Sequence, residues 1–274
     1  MALSFFDALR RAYHTWIPVD VRRRLRLTRW TATRRALSRV WRRTGGCVAA
    51  GPFAGLRLLA RTPADYESAV LLGSFECEIH SWLEQEFARG WSIAVNVGSA
   101  AGYYSTGMAM RLSRATVYAY EMDPTWREET RRSAEANGVG ERVHPLGRAD
   151  IEVLAALPVP AGLGALVICD CEGFERDLLD PIRIPWLAHS ALCVELHDFA
   201  APGATETLRA RLGDTHELAI VEQQPRDAAT WASRAGIDPA DAAQMCDEIR
   251  AWGKIRVRGR WLLATPRSRT RTGQ

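Results

Sequence analysis

Residues 91–104 read WSIAVNVGSAAGYY. A buried-type apolar run ends in Asn96, Gly98, Ala100 and Gly102, and a helix-compatible stretch continues from Gly102 to Arg114. Glycines at a strand-to-helix turn let the backbone approach a ligand closely, and the first turn of the helix presents N–H groups without intrahelical partners. The stretch therefore reads as the nucleotide-contacting turn of an α/β domain. A G-x-x-x-G pair also serves plain strand–helix packing, so the residues after Gly102 decide between the two.

Outward from this turn the pattern alternates. Strand-like runs fall at 91–97, 115–121, 141–146, 164–170, 190–197, 215–222 and 256–264. Helical segments lie near 102–113, 124–137, 149–156, 174–180, 204–213 and 226–251. Runs such as ALVIC are continuously apolar, as in strands buried on both faces, and strands separated by helices imply a largely parallel sheet. The expected fold is α/β, a doubly wound, seven-stranded, mostly parallel Rossmann-like sheet. It divides into a basic amphipathic helical extension (1–43), a hairpin and helix covering the site (44–90), the α/β domain (91–265) and a basic tail (266–274). Pro63 to Arg89 is helical in character, with Leu71, Leu72, Phe75, Ile79, Trp82, Leu83 and Phe87 at helical spacings.

Residues 1–45 hold twelve arginines against two aspartates, net +10, so the rest of the chain carries −6 of the overall +4. Basic character thus belongs to the N-terminal extension. Its arginines, interleaved with Phe, Trp and Leu, fit a helical cap or homo-oligomer contact, and also a membrane surface bearing anionic lipid. Nucleic acid ranks last, because no DNA or RNA motif accompanies the charge. The six cysteines lack zinc-type spacing and read as reduced, mostly buried thiols. No stretch reaches the roughly 18 to 20 apolar residues of a membrane span, and the N-terminus lacks the charged, apolar and cleavage-site order of a signal peptide. A cytoplasmic protein is expected, with peripheral contact at the inner membrane face as the further reading.

Glu121 ends the second strand-like run, where a carboxylate can accept both hydroxyls of an unphosphorylated ribose. It can equally cap the helix that starts after Asp123. Asp150 lies beside the same cleft, either to accept from an adenine amino group or to cap residues 151–156. Asp170 and Glu172 come after the fourth strand-like run, and Glu195 and His197 close the fifth. Two residues apart, Glu195 and His197 would share one strand face. Either His197 or Asp170 acts as general base, or Asp170, Glu195 and His197 hold a divalent cation such as Mg²⁺, or the group is a buried polar network. Tyr103 and Tyr104 can wall a cationic group. Glu76 and His80, four apart on one helix face, suit the acceptor side together with segment 223–253, an ordinary surface ion pair being the plain alternative.

The order VNVGSAAGYYS, VYAYEMDP, ICDCEGFERDLLDP and VELHDF resembles class I S-adenosylmethionine-dependent methyltransferases, most of all the FkbM-type group, over residues 70–265. The resemblance implies S-adenosylmethionine as cofactor, with Asn96, Gly98 and Gly102 along its methionine portion, Glu121 at the ribose and Asp150 at the adenine. It places Asp170 and Glu172 at the reacting end, and a hydroxyl of a sugar or secondary metabolite as acceptor. Asn96 departs from the pattern, since an acidic residue is usual there; asparagine still accepts a hydrogen bond but carries no charge. An NAD-dependent oxidoreductase or epimerase is the other enzyme reading, against which stand the missing third glycine of G-x-G-x-x-G and the lack of a Tyr-x-x-x-Lys pair. A non-enzymatic, membrane-associated binding protein is the third.

Overall fold

The computed structural model describes residues 31–59, 68–248, 251–252 and 255–267. The amphipathic helices read within 1–30, the start of the 63–89 helix and nearly all of the basic tail lie outside them.

Seven strands form the central sheet: β1 (Ile93–Val97), β2 (Thr116–Tyr120), β3 (Val143–Leu146), β4 (Leu166–Cys169), β5 (Ala191–Glu195), β6 (His216–Glu222) and β7 (Arg260–Pro266). Their order is β3-β2-β1-β4-β5-β7-β6. β1 to β5 pair in parallel, while β7 runs antiparallel to both β5 and β6. This seven-stranded mixed sheet is the doubly wound, mostly parallel Rossmann-like arrangement that the alternation of runs implies. Helices α1 (Thr31–Thr44), α2 (Ser68–Leu72) and α3 (His80–Arg89) precede β1. Helices α4 (Tyr103–Arg111), α5 (Pro124–Ala136), α6 (Ile151–Ala155), α7 (Glu175–Leu178) and α8 (Ala204–Leu212) connect the strands.

The two faces of the sheet bury separate cores. Ala94, Leu166, Ile168 and Cys193 face one, with Met108 of α4 and Ala134 of α5. Val95, Val97, Val167, Cys169 and Val194 face the other, with Leu154 of α6, Leu178 of α7 and Leu208 of α8. This is the period of two made physical: neighbours along a strand project to opposite sides. Each fully buried Leu or Val among them contributes roughly 1.5–3 kcal/mol.

Ahead of the sheet, α1 buries Ala36, Leu37 and Val40, one stripe at helical spacing. Their partners include α10 (Pro239–Met245), which comes after α9 (Ala228–Ala235). Arg39 on α1 also pairs with Asp241 on α10, its Nε donating to Oδ2 at 2.9 Å. After α1 the chain doubles back through an antiparallel bridge between Cys47 and Arg57.

Two predicted helices are each broken in two. The 63–89 stretch breaks at Gly73, which has φ +87 and sits against Ala50; a Cβ there would lie 1.9 Å from the Ala50 carbonyl oxygen. The 226–251 stretch breaks at Gly236, which ends α9 at φ 62, and Asp238 then starts α10 by accepting from Ala240 N–H at 2.7 Å with Pro239 in the first turn. Among the described residues no helix is long and apolar enough to cross a membrane.

Candidate active site

The turn after β1 is built by close approach. Gly98 has φ +80, and a Cβ on it would lie 1.7 Å from the Asp170 carbonyl oxygen, so the ends of β1 and β4 meet only because residue 98 is glycine. Gly98 and Ser99 both donate N–H to Tyr120 O at 2.9 Å, which ties the turn to β2 as well. Just past Tyr120, Glu121 accepts Ala100 N–H at 3.0 Å and Asp123 N–H at 2.9 Å, one on each carboxylate oxygen. Each oxygen keeps lone-pair capacity for a further donor. Helix capping falls instead to Asp123, which accepts Thr125 N–H at 2.7 Å.

Beside this turn lies a cavity of about 620 Å³, within the range of small-molecule sites. Gly98, Ala100, Glu121, Asp150, Asp170 and Glu172 line it, and so do the apolar side chains of Met122, Trp126, Ile151 and Phe174. Asp150 caps α6, one oxygen accepting Val153 N–H at 2.8 Å, and the residue also lines the cavity. The lining fits a nucleoside with unphosphorylated ribose. It has a carboxylate at the β2 tip, apolar walls for a flat ring and a glycine surface that a side chain would fill.

Next to the cavity-lining Asp170, buried and outside the lining, stand His197 and Glu175. His197 Nδ1 lies 2.8 Å from Glu175 Oε1, and its Nε2 lies 3.7 Å from Asp170 Oδ1. That Asp170 oxygen is buried with no hydrogen-bond partner. Burial pushes the Asp170 carboxyl up to about 7, against the pull of His197 and with the help of Glu76, Glu172 and Glu175. The surface Asp170 keeps, 43% of its side chain, belongs to a cavity-lining residue. For His197 burial alone would lower the pKa, but the hydrogen bond and charge of Glu175, joined by Asp170 and Glu172, outweigh it and raise the value. Glu175 itself is held below its ordinary value: burial works upward, and His197 with the backbone donors overrides it.

Several sequence expectations are corrected here. Asn96 does not line the cavity. It shares the face of Ala94, where its Oδ1 accepts from Ser105 Oγ of α4 at 2.8 Å and its Nδ2 meets Ile168 O at 3.4 Å, whereas Val97 faces the cavity. Tyr103 likewise packs on the α4 side, its ring 5.2 Å from Phe53 and 5.8 Å from Phe75. Gly102 sets the start of α4 and is also absent from the lining. Glu76 and His80 do not share a helix face: Glu76 precedes the helix in a left-handed conformation, φ 50, and is buried rather than part of a surface ion pair. It accepts a short hydrogen bond from the Tyr104 hydroxyl. His80 turns the other way, with Nε2 2.9 Å from Phe75 O and its ring against Trp231.

Glu195 and His197 also part company. β5 ends at Glu195, so the two-residue period does not extend to His197, which turns to Glu175. Among the described residues the group with converging ligand-type atoms is Asp170, Glu175 and His197, without Glu195. Glu175 Oε1 is already taken by His197 Nδ1 and by Cys171 and Gly173 N–H at 3.0 and 3.2 Å. Within this group Glu175 and His197 are thus joined by a hydrogen bond, Asp170 stands 3.7 Å from the ring, and Glu195 is not part of it.

Glu175 is the residue that sequence reasoning passed over. Its signal is an acid at the end of D-C-E-G-F-E, placed to accept the N–H groups of its own turn. Also missed is Arg226, buried between Glu78 and Glu248, with Nη1 2.6 Å from Glu78 Oε1 and Nη2 2.5 Å from Glu248 Oε1. Glu248 accepts Glu76 N–H as well, at 2.5 Å. The 223–248 segment and the residues before α3 thus meet beside Tyr104.

No family model matches the chain, and no curated protein matches it. Solved structures do. The O-methyltransferase TomG from Streptomyces achromogenes, involved in tomaymycin synthesis and bound to SAM, is 14% identical with a TM-score of 0.42, over 86% of this chain and 90% of that one. An O-methyltransferase from Bacillus cereus in complex with SAH is 11% identical at 0.42, over 93% and 96%. A precorrin-6y C5,15-methyltransferase from Geobacter metallireducens is 11% identical at 0.41, over 68% and 87%.

Proposed function

We propose that this chain is a class I, FkbM-type methyltransferase that uses S-adenosylmethionine to methylate a hydroxyl on a sugar-like or secondary-metabolite acceptor. The observation that carries the reading is one cavity lined by Glu121, Asp150 and Asp170, with the hydrogen-bonded pair His197 and Glu175 next to Asp170. When bound, the cofactor supplies a methyl group on a positively charged sulfur. Glu121 would accept the ribose hydroxyls and Asp150 the adenine amino group, with Gly98 and Ala100 of the turn beside the methionine portion. Asp170 would balance the sulfonium charge.

Transfer requires that the acceptor hydroxyl lose its proton as the new carbon–oxygen bond forms and the methyl carbon–sulfur bond breaks, its electron pair staying on the neutral sulfur. His197 takes that proton at Nε2, and Glu175 and Asp170 stabilise the resulting imidazolium. Glu172 at the cavity mouth, together with Glu76 and Tyr104 beside the sheet end, shapes the acceptor side. Peripheral membrane contact through residues 1–43 stays a separate proposal; deleting them should lower association with anionic vesicles while sparing cofactor binding.

Calorimetric titration with S-adenosylmethionine, S-adenosylhomocysteine and NAD tests the central reading. Binding of the first two without the third is the expected result. Binding of NAD alone would turn the reading to an oxidoreductase, and binding of none would leave the α/β domain as a scaffold.

A further inference from the structure

Glu175 does more in this fold than close a turn. Its side chain is 1% exposed, and it is anchored independently of His197 by Cys171 and Gly173 N–H groups. The Cys171–Glu175 segment is shaped around it, with Glu172 in the left-handed region at φ 59. Onto this fixed carboxylate falls one nitrogen of His197, Nδ1 at 2.8 Å, while Phe199 packs edge-on against the ring at 5.5 Å. A neutral imidazole carries its proton on one nitrogen only. With the proton on Nε2, the bare lone pair of Nδ1 would face a carboxylate oxygen at hydrogen-bond distance in a buried site, which is repulsive. With the proton on Nδ1 the contact is a charge-assisted hydrogen bond.

We propose that Glu175 is the positioning residue of His197, selecting the Nδ1–H tautomer so that Nε2 stays unprotonated and faces Asp170, which lines the cavity. Its meaning for catalysis rests on the reading of His197 as general base, but the tautomer itself does not. A carboxylate that merely braces the turn would leave the choice between the two nitrogens open. The other acidic groups that reach the ring, Asp170 and Glu172, come from the loop after β4; Asp170 faces Nε2, where it favours protonation and works against the Glu175 preference. The tautomer is thus a contest between two carboxylates. The shorter contact, 2.8 against 3.7 Å, belongs to Glu175.

The experiment is long-range proton–nitrogen correlation on the full chain with ¹⁵N-labelled histidine, free and with S-adenosylhomocysteine, at a pH where the imidazoles are neutral. His197 signals are those lost in His197→Gln. In the wild type, Nδ1 of His197 should appear protonated and Nε2 bare. His80, whose Nε2 points at Phe75 O, should show the opposite pattern and serves as internal reference. Glu175→Met, similar in length and lacking the carboxylate, should cut the Nδ1–H share of His197 at least threefold and leave His80 unchanged. A wild-type His197 protonated on Nε2 would overturn the proposal without any variant, and so would a Glu175→Met protein that folds and keeps the Nδ1–H form. Failure of S-adenosylhomocysteine to bind would sink the methyltransferase reading instead, and the spectra of the free protein would still decide the tautomer.

Discussion

The Glu121 carboxylate accepts the backbone N–H of Ala100 at 3.0 Å, joining the tip of β2 to the turn after β1. Ala100 is one of three non-glycine residues with positive φ among the described residues, at 43°, and two of the three, Ala100 and Glu172, line the cavity. Such conformations cost on the order of 1–3 kcal/mol each and gather at functional sites. Glu121 therefore holds a strained turn at the edge of the cavity. Glu121→Ala should weaken S-adenosylhomocysteine binding at least tenfold, about 1.4 kcal/mol, by calorimetry. Unchanged affinity would move the ribose site elsewhere.

Asp170 gives the site a pH signature that needs no acceptor. Burial lifts its carboxyl to about 7, so the group ionises as pH rises through neutrality. S-adenosylmethionine carries the sulfonium charge and S-adenosylhomocysteine does not, so their affinity ratio isolates the interaction with that charge. The ratio should rise about fivefold in favour of S-adenosylmethionine between pH 6 and pH 8, about 1 kcal/mol. Asp170→Asn should flatten the profile. A ratio independent of pH in the wild type would place the sulfur away from Asp170.

Arg226 sits 1% exposed between Glu78 and Glu248, and these contacts join the segment before α3 to the one after α10. Removing one partner of a buried ionic group strands the others, at roughly 3–5 kcal/mol. Arg226→Met should therefore lower the thermal midpoint by many degrees, read by calorimetry or circular dichroism. A midpoint within a degree or two of wild type would mean that the glutamates are neutral or find other donors.

His80 sets an acid limit on stability. Burial pushes its pKa down to about 4, with the Phe75 carbonyl opposing. The unfolded chain binds a proton near pH 6.5, and the folded chain not until about 4. The stability difference is absent above about 6.5 and grows as pH falls toward 4, reaching about 3 kcal/mol at most. His80→Gln keeps a donor for Phe75 O and cannot titrate. Denaturant melts should therefore show wild type losing stability relative to this variant between pH 6.5 and 4. Parallel curves would rule out a buried, neutral His80.

What could be read from the chain was periodic or local. Continuous apolar runs such as ALVIC mark strands covered on both sides, and helices between them impose the parallel order. Asp123 with Pro124 declares a helix start from adjacent residues alone. The acid at Glu121 lies beside the cavity because a strand tip and its neighbouring turn are held together by main-chain bonds that any such sheet makes. The breaks at Gly73 and Gly236 were less legible, since the residues around them keep helical spacing. At Gly73 the constraint comes from Ala50, more than twenty residues earlier.

By itself, then, the sequence determined the doubly wound sheet, the glycine turn, and the acids that meet at the carboxyl ends of the parallel strands. Only the tertiary structure decided which way each side chain turns. Asn96 lies on the α4 face because strand residues alternate, Glu76 left its helix to reach Tyr104, and Glu195 parted from His197 where β5 ended. The pairing of Glu175 with His197 joins the start of α7 to the residues after β5, twenty-two positions apart. No periodicity encodes such a contact; it exists because the ends of β4 and β5 are neighbours in the sheet.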